Sequence, residues 1–363
     1  MPTATVQANG FPVLSWRQAL DSPADFISEL SDALSTTGFF YLTDLQAQSA
    51  NWQTVWSNAF QKSQEFFELD EEEKLEIEMI RSRHFRGYSR FGSETTAGKQ
   101  DQREQIDFGP DTGEQDDKKD IWLSLYGPNQ YPRQVKGFKE AIESLRDTCD
   151  TVAQRLVHLI ARSVTDESHL MTDPFNALYP AYSRMKTVRY KPVPADTDPS
   201  LLGVGPHRDG GALTLLAMDD TPGLQVQLWS GEWRTVEPRQ YDLVINIGQV
   251  IERMTHGVYT STTHRVLATR GSRSRISIPF FFSPSLVSQV TPVPLDKLLP
   301  HARQLVEAGG RQVVSEIRKG DLHEEQFGKA AWRGITRSHQ AVWQKYYGDF
   351  DELGGPDKFL NAK

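Results

Sequence analysis

The chain has 363 residues, a formal charge of −8 and 38% apolar residues, a balance that describes a packed globular chain. The acidic excess argues against a nucleic-acid partner, since phosphate binding relies on clustered Lys and Arg. One cysteine, Cys149, excludes an internal disulfide framework and fits a reducing compartment. No apolar run reaches the roughly 20 residues a membrane helix needs, and the N-terminus lacks the basic start and apolar core of a signal peptide, so a cytoplasmic location is expected.

In chain order, FPVLSW (11–16) predicts a short strand, and DSPADFISELSDALSTTG a helix. Asp21 or Ser22 can cap that helix, Pro23 suits its first turn, Gly38 ends it, and Phe26, Leu30 and Leu34 form its apolar stripe. FFYLTDL (39–45) follows as a strand, and Trp52 to Phe67 repeats apolar residues with helical spacing. DEEEKLEIE (70–78) is expected to be a charged, exposed helical segment. Residues 80–133 lack a period and predict loops with short strands. Arg81, Arg83, His84, Arg86 and Arg90 make the stretch locally basic. Its simplest role is surface pairing with nearby carboxylates, and its sharper one is a grip on a substrate carboxylate. A long helix is predicted over about 135–163, with Cys149 on its apolar side as a small core residue.

From Met185 onward the pattern changes to short β-segments separated by Gly, Pro and Asp, as in a β-sandwich or barrel. ITRSHQAVWQKYYGDF is the last segment expected to pack. We therefore expect residues 1–165 to form a helical and mixed region that packs on a core built from 166–363, with the two making one compact unit.

Chemistry-bearing residues concentrate between 207 and 277. His207 and Asp209 lie two apart in a segment that reads as strand, so both side chains leave one face. A later strand carrying His264 can bring a third ligand to the same point. Two imidazoles and a carboxylate on one side of a metal form the facial triad of non-haem Fe(II) oxygenases, which leaves positions open for substrate and O2. Arg275 and Ser277, again two apart, place a guanidinium and a hydroxyl together, a pairing suited to a small dicarboxylate.

The segments PHRDGGALTLL, GLQVQLWSGEW, DLVINIGQVIERMTHGVYTSTTHRV and RSRISIPFFF resemble the isopenicillin N synthase-like branch of the Fe(II)- and 2-oxoglutarate-dependent dioxygenases, with weaker matches at FPVLSW, TTGFFYL, FFELDEEEK and FRGYSRFGSE. The resemblance implies an α+β fold: a double-stranded β-helix (jelly roll) core flanked by helices, mainly from the N-terminal half. By position it implies His207, Asp209 and His264 as iron ligands, and Arg275 and Ser277 as the grip on the distal carboxylate of 2-oxoglutarate. Tyr190 would be a further co-substrate contact. The chain departs from the family at Arg208, where a small residue is common inside His-x-Asp, at His256, where many relatives have Asn, and at Val188, where plant members often carry Asn near the co-substrate. His256 is a second candidate for lining the site, although the register favours His264 as ligand. Strand alternation after Ser277 makes Phe281 the expected pocket wall, with Phe280 and Phe282 turned away. His84, Arg86 and Arg208 complete the expected substrate contacts.

The implied activity is oxidation of a small metabolite by hydroxylation, desaturation or ring rearrangement. Fe(II), 2-oxoglutarate and O2 are required, ascorbate serves as reductant in vitro, and succinate and CO2 are co-products. Two alternatives remain open from the residues: a 2-oxoglutarate-independent iron oxidase of the same fold, and a non-catalytic β-sandwich binding protein.

Overall fold

A computed structural model describes residues 5–6, 9–96, 99–113, 120–166, 174–194, 196–198, 200–308 and 326–348. The N-terminal half supplies strands β1 (Thr5–Val6), β2 (Pro12–Ser15) and β3 (Phe39–Thr43), with helices α1 (Trp16–Asp21) and α2 (Pro23–Thr36) between the last two. Helices α3 (Trp52–Phe67) and α4 (Glu71–Lys74) lead to strand β4 (Gly87–Ser89), the small hairpin β5 (Thr95–Thr96) and β6 (Lys99–Gln100), and strand β7 (Glu104–Phe108). The long helix α5 (Phe138–Val164) follows. The remaining strands are β8 (Arg184–Tyr190), β9 (Leu202–His207), β10 (Leu213–Met218), β11 (Leu224–Gln227), β12 (Trp233–Thr235), β13 (Leu243–Ile247), β14 (His264–Leu267) and β15 (Arg275–Phe282). The short helix α6 (Gln249–Met254) sits between β13 and β14, and α7 (Pro300–Glu307), α8 (Phe327–Ser338) and α9 (Gln340–Tyr347) come after the strands.

Among the described residues the strands form a nine-stranded sheet in the order β1-β2-β3-β13-β10-β15-β8-β7-β4 and a four-stranded sheet in the order β12-β11-β14-β9. Strands from either side of residue 165 share the large sheet. Only β2 and β3 pair in parallel within it. The two sheets close on a small apolar core in which Phe39, Val188, Tyr190 and Met218 of the large sheet meet Val204, Leu224, Val226 and Val266 of the small one. The other face of the large sheet is covered by helices, where Leu213, Leu215, Ile245, Ile278 and Phe280 pack with Phe26 and Leu30 of α2 and Leu145, Val152 and Leu156 of α5. This is the jelly roll with flanking helices that the sequence implied. Burial of one such side chain stabilises by about 1.5–3 kcal/mol, so the helical cover contributes heavily to the stability of the core.

Local sequence explains the elements that frame the interior. In α2, Pro23 occupies the first turn, where its missing N–H is unneeded, and the helix ends at Gly38, whose φ of 67° would strain a side chain. Helix α5 buries one long stripe, including Cys149, whose thiol pKa is pushed up by burial. The expectation of an exposed 70–78 segment needs correction at Lys74, which is buried and paired with the fully buried Glu104 of β7 at 3.3 Å. No helix among the described residues is long and apolar enough to cross a membrane.

Candidate active site

The small sheet brings the separated histidines together. β14 and β9 run antiparallel with His264 directly opposite His207, and their ring centroids are 4.3 Å apart. Asp209 lies just past the end of β9. Its Oδ1 is 3.8 Å from His207 Nε2 and 3.7 Å from His264 Nε2. The loop that carries it is held from below, because the amides of Gln249 and Val250 at the start of α6 donate to the carbonyls of Asp209 and Gly211. A Cβ on Gly248 would stand 2.1 Å from the Gly211 carbonyl oxygen, so this close approach requires glycine.

Hydrogen bonds fix which atoms face inward. His207 Nδ1 donates to Gly205 O at 2.9 Å and His264 Nδ1 to Thr262 O at 3.1 Å, which leaves both Nε2 atoms as bare acceptors. Asp209 Oδ2 accepts from Thr214 Oγ1 at 2.6 Å and Asn246 Nδ2 at 2.8 Å, so Oδ1 is the oxygen turned to the imidazoles. Burial, then the neighbouring His264, push the His207 pKa down to about 4, with Arg103 adding to the effect. Burial raises the Asp209 pKa, but the two histidines and the Thr214 and Asn246 hydrogen bonds outweigh it, and the carboxyl stays below its usual range. The three candidate ligand atoms lie within 4.8 Å of one another. Two imidazoles, one carboxylate and no thiolate make a donor set that fits a ferrous ion.

Across the interior, on the large sheet, Arg275 pairs in register with Tyr190, and its guanidinium carbon lies 5.0 Å from the centre of the Tyr190 ring. Arg275 is 1% exposed, and its Nε and Nη1 have no hydrogen-bond partner. A buried guanidinium with orphaned donors fits an anion such as a carboxylate. Ser277, also buried, lies two residues on along the same face of β15.

A cavity of about 650 Å3 opens on His207 and Asp209. Phe281 lines it, while Phe280 and Phe282 join the core on the helical side. Its charged walls come from residues that the sequence did not single out: Glu94, Arg103, Arg184, Lys186, Arg337 and His339. They arrive from the hairpin region, the start of β8 and the C-terminal helices, so no local spacing links them.

Two expected substrate contacts need correction. His84 and Arg86 do not line this cavity. His84 is buried, with Nδ1 2.7 Å from Ser124 O, and Arg86 is fully buried behind the wall, with Nη2 donating to Leu125 O at 2.6 Å and to the Tyr182 hydroxyl at 3.1 Å. Arg208 does line the cavity, but its guanidinium is committed to Glu252 of α6 and to Ser261 O. His256 stands apart from the ligand group, with Nε2 2.7 Å from Val293 O.

With this geometry in hand, comparison with known proteins assigns the class. Residues 11–134 match the family model described as non-haem dioxygenase in morphine synthesis N-terminal, and residues 182–284 match that of the 2OG-Fe(II) oxygenase superfamily. A 2-oxoglutarate-dependent dioxygenase of Gibberella zeae is 36% identical over 288 residues, which cover 74% of each chain. A homoarginine-6-hydroxylase of Arabidopsis thaliana is 28% identical over 80% of this chain and 78% of its own. Among solved structures, a full-length Neurospora crassa protein in complex with alpha-KG superposes with a TM-score of 0.64 at 22% identity, covering 84% of this chain and 95% of that one. A 2OG-Fe(II) oxygenase family protein from Caulobacter crescentus gives 0.65 at 25%, covering 85% and 98%. The chain belongs to the 2OG-Fe(II) oxygenase superfamily. It is an Fe(II)- and 2-oxoglutarate-dependent dioxygenase that takes a small-molecule substrate, and the 2-oxoglutarate-independent alternative is not favoured.

Proposed function

We propose that this dioxygenase oxidises a small, charged metabolite of the amino-acid type in the cytoplasm, with His207, Asp209 and His264 holding the iron and Arg275, Ser277 and Tyr190 the 2-oxoglutarate. The observation that carries the substrate reading is the cavity wall, where Arg103, Arg184, Lys186 and Arg337 and the carboxylate of Glu94 line about 650 Å3 of space beside His207 and Asp209. A cavity with both signs of charge suits a compact molecule that carries both. Relatives named as homoarginine-6-hydroxylases, 28–30% identical, support the same class.

When bound, iron and 2-oxoglutarate would supply the oxidising chemistry, O2-dependent decarboxylation to succinate and CO2 coupled to substrate oxidation. The chain's own residues orient and shield. Thr214 and Asn246 fix the rotation of Asp209, and the Gly205 and Thr262 carbonyls fix the imidazole tautomers. Arg275 keeps its free donors for the distal carboxylate, and Phe281 forms an apolar wall beside the ligands. Hydroxylation is the simplest outcome of this arrangement.

The test is incubation of purified protein with Fe(II), ascorbate, 2-oxoglutarate and a panel of amino acids and neutral apolar metabolites, L-homoarginine included, reading succinate and product mass. A zwitterionic compound that stimulates succinate release and gains one oxygen supports the proposal. Stimulation by neutral apolar compounds alone overturns the substrate class. Turnover without 2-oxoglutarate overturns the co-substrate assignment.

A further inference from the structure

The family resemblance leaves a gap on the inner face of β8. Where plant members of the family often carry an Asn near the co-substrate, this chain has Val188, which is buried in the apolar core between the sheets and has no side-chain hydrogen-bonding group. A keto acid that chelates a metal through one carboxylate oxygen leaves the other oxygen in need of a donor, because an unsatisfied charged acceptor in a buried site is costly.

The strand register shows what stands nearby. β7 pairs with β8 so that Gln105 faces Val188 and Glu104 faces Arg189, and continuing that register places Arg103 opposite Tyr190. Tyr190 in turn faces Arg275 on β15. Arg103, Tyr190 and Arg275 thus form one row across three neighbouring strands. The segment before β7 is fastened toward the small sheet by Gln102, whose amide donates to Gly203 O at 3.0 Å, and a Cβ on Gly203 would lie 2.8 Å from Tyr190 Cδ1. The row therefore lies in the closely packed space between the sheets. Unlike Arg275, Arg103 also lines the cavity that opens on His207 and Asp209. Its Nη2 holds Glu94 at 2.8 Å and Asp101 at 2.9 Å, which keeps the side chain oriented, while its Nε is buried and has no partner.

We infer that Arg103 is a second binding residue for 2-oxoglutarate, donating to the metal-bound keto-acid end where Val188 offers nothing, while Arg275 holds the distal carboxylate. The two carboxylates on Nη2 act as a fixed mount, and the part of the guanidinium that lines the cavity is turned to the co-substrate. The inference rests on the proposed role of Arg275, and the two parts of the co-substrate separate them experimentally.

The experiment is an anaerobic titration of Fe(II)-loaded protein with 2-oxoglutarate, followed by the metal-to-keto-acid charge-transfer absorption, in the native protein, Arg103→Met, Arg103→Lys and Arg275→Met. The titration is repeated with pyruvate, which keeps the keto-acid end and lacks the distal carboxylate. Arg103→Met is expected to raise the Kd for both keto acids about tenfold, equivalent to about 1.4 kcal/mol, and to shift the absorption band. Arg103→Lys should recover part of the affinity. Arg275→Met should weaken 2-oxoglutarate and leave pyruvate unchanged. Iron affinity without keto acid should stay constant in all variants. An unchanged pyruvate Kd and band in Arg103→Met overturn the role of Arg103, whatever Arg275→Met does. If Arg103→Met does not fold, an unchanged pyruvate Kd in Arg103→Lys overturns that role equally. An unchanged 2-oxoglutarate Kd in Arg275→Met overturns the underlying anchor assignment instead.

Discussion

Thr214 donates its hydroxyl to Asp209 Oδ2 at 2.6 Å from the strand next in sequence, and this bond decides which carboxylate oxygen faces the two imidazoles. Asn246 on β13 adds a second donor to the same oxygen at 2.8 Å. Neither residue offers a ligand atom to the group. Partners of this kind are worth about 10–100-fold in metal affinity, because they hold the ligand in its binding orientation and in its charged state. Thr214→Val and Asn246→Ala are each expected to weaken Fe(II) binding by about that factor in a chelator-competition titration. Native iron affinity in both variants would show that Asp209 is oriented by something else.

The packing of Gly203 against Tyr190 gives a second prediction. Gly203→Ala puts a methyl 2.8 Å from Tyr190 Cδ1 and 3.1 Å from the Leu267 carbonyl oxygen, so the ring must move. Tyr190 covers the Arg275 guanidinium, and its displacement should weaken 2-oxoglutarate by about tenfold, or about 1.4 kcal/mol, with iron affinity preserved. Equal 2-oxoglutarate affinity in the variant would remove Tyr190 from the co-substrate site.

Residues whose placement depends on local spacing are legible in the sequence. Arg275, Ser277 and Phe281 share a strand face because side chains alternate, and the pairing of His264 with His207 closes a group whose other members lie two residues apart. The loops are not legible. Sequence position puts Arg86 at the substrate, yet it turns behind the wall to Leu125 and Tyr182, an outcome set by long-range packing. Glu94, Arg184 and His339 look like ordinary surface charges in sequence, and only the fold gathers them. The C-terminal stretch around His339 reads as packing material, because its helical period carries no sign that one edge faces a cavity.

His339, between α8 and α9, sets a pH dependence for the wall it helps to form. Burial lowers its pKa, outweighing the upward pull of Glu94 and Asp107, while Lys186 and Arg184 add to the lowering, so the imidazole is neutral beside Glu94 at 3.2 Å. A histidine with a lowered native pKa takes up its proton more readily when unfolded. Its contribution is therefore absent well above the ordinary value of 6.5 and increasingly destabilising as pH falls below it. The Tm of the native protein should drop between about pH 6.5 and 5, and His339→Gln should flatten that part of the curve. Identical slopes in the two proteins would show that the imidazole is not held neutral.

Arg86 presents the opposite problem, a buried charge with little to balance it. It is fully buried, its Nε and Nη1 lack partners, and among the described residues no carboxylate forms an ion pair with it. Its carbonyl partner is not dependent on it, since the Tyr182 hydroxyl also donates to Leu125 O, at 3.3 Å. Removing the charge while keeping the stem should therefore cost little, because the desolvation penalty goes with it. Arg86→Met is expected to leave stability within about 1 kcal/mol of native or to raise it, and a larger loss would reveal a hidden counter-charge. Gly109→Ala should do the reverse. Its Cβ would stand 1.9 Å from Arg86 Nη2 and 2.2 Å from Cζ, an overlap that costs about 1–3 kcal/mol in a packed interior. Methionine is more compliant and ends in no rigid plane, so the Gly109→Ala penalty should shrink when Arg86 is already Met. Denaturant unfolding of the four proteins in that cycle measures the coupling directly. Additive losses would mean that Gly109 is glycine for some reason other than the guanidinium packed against it.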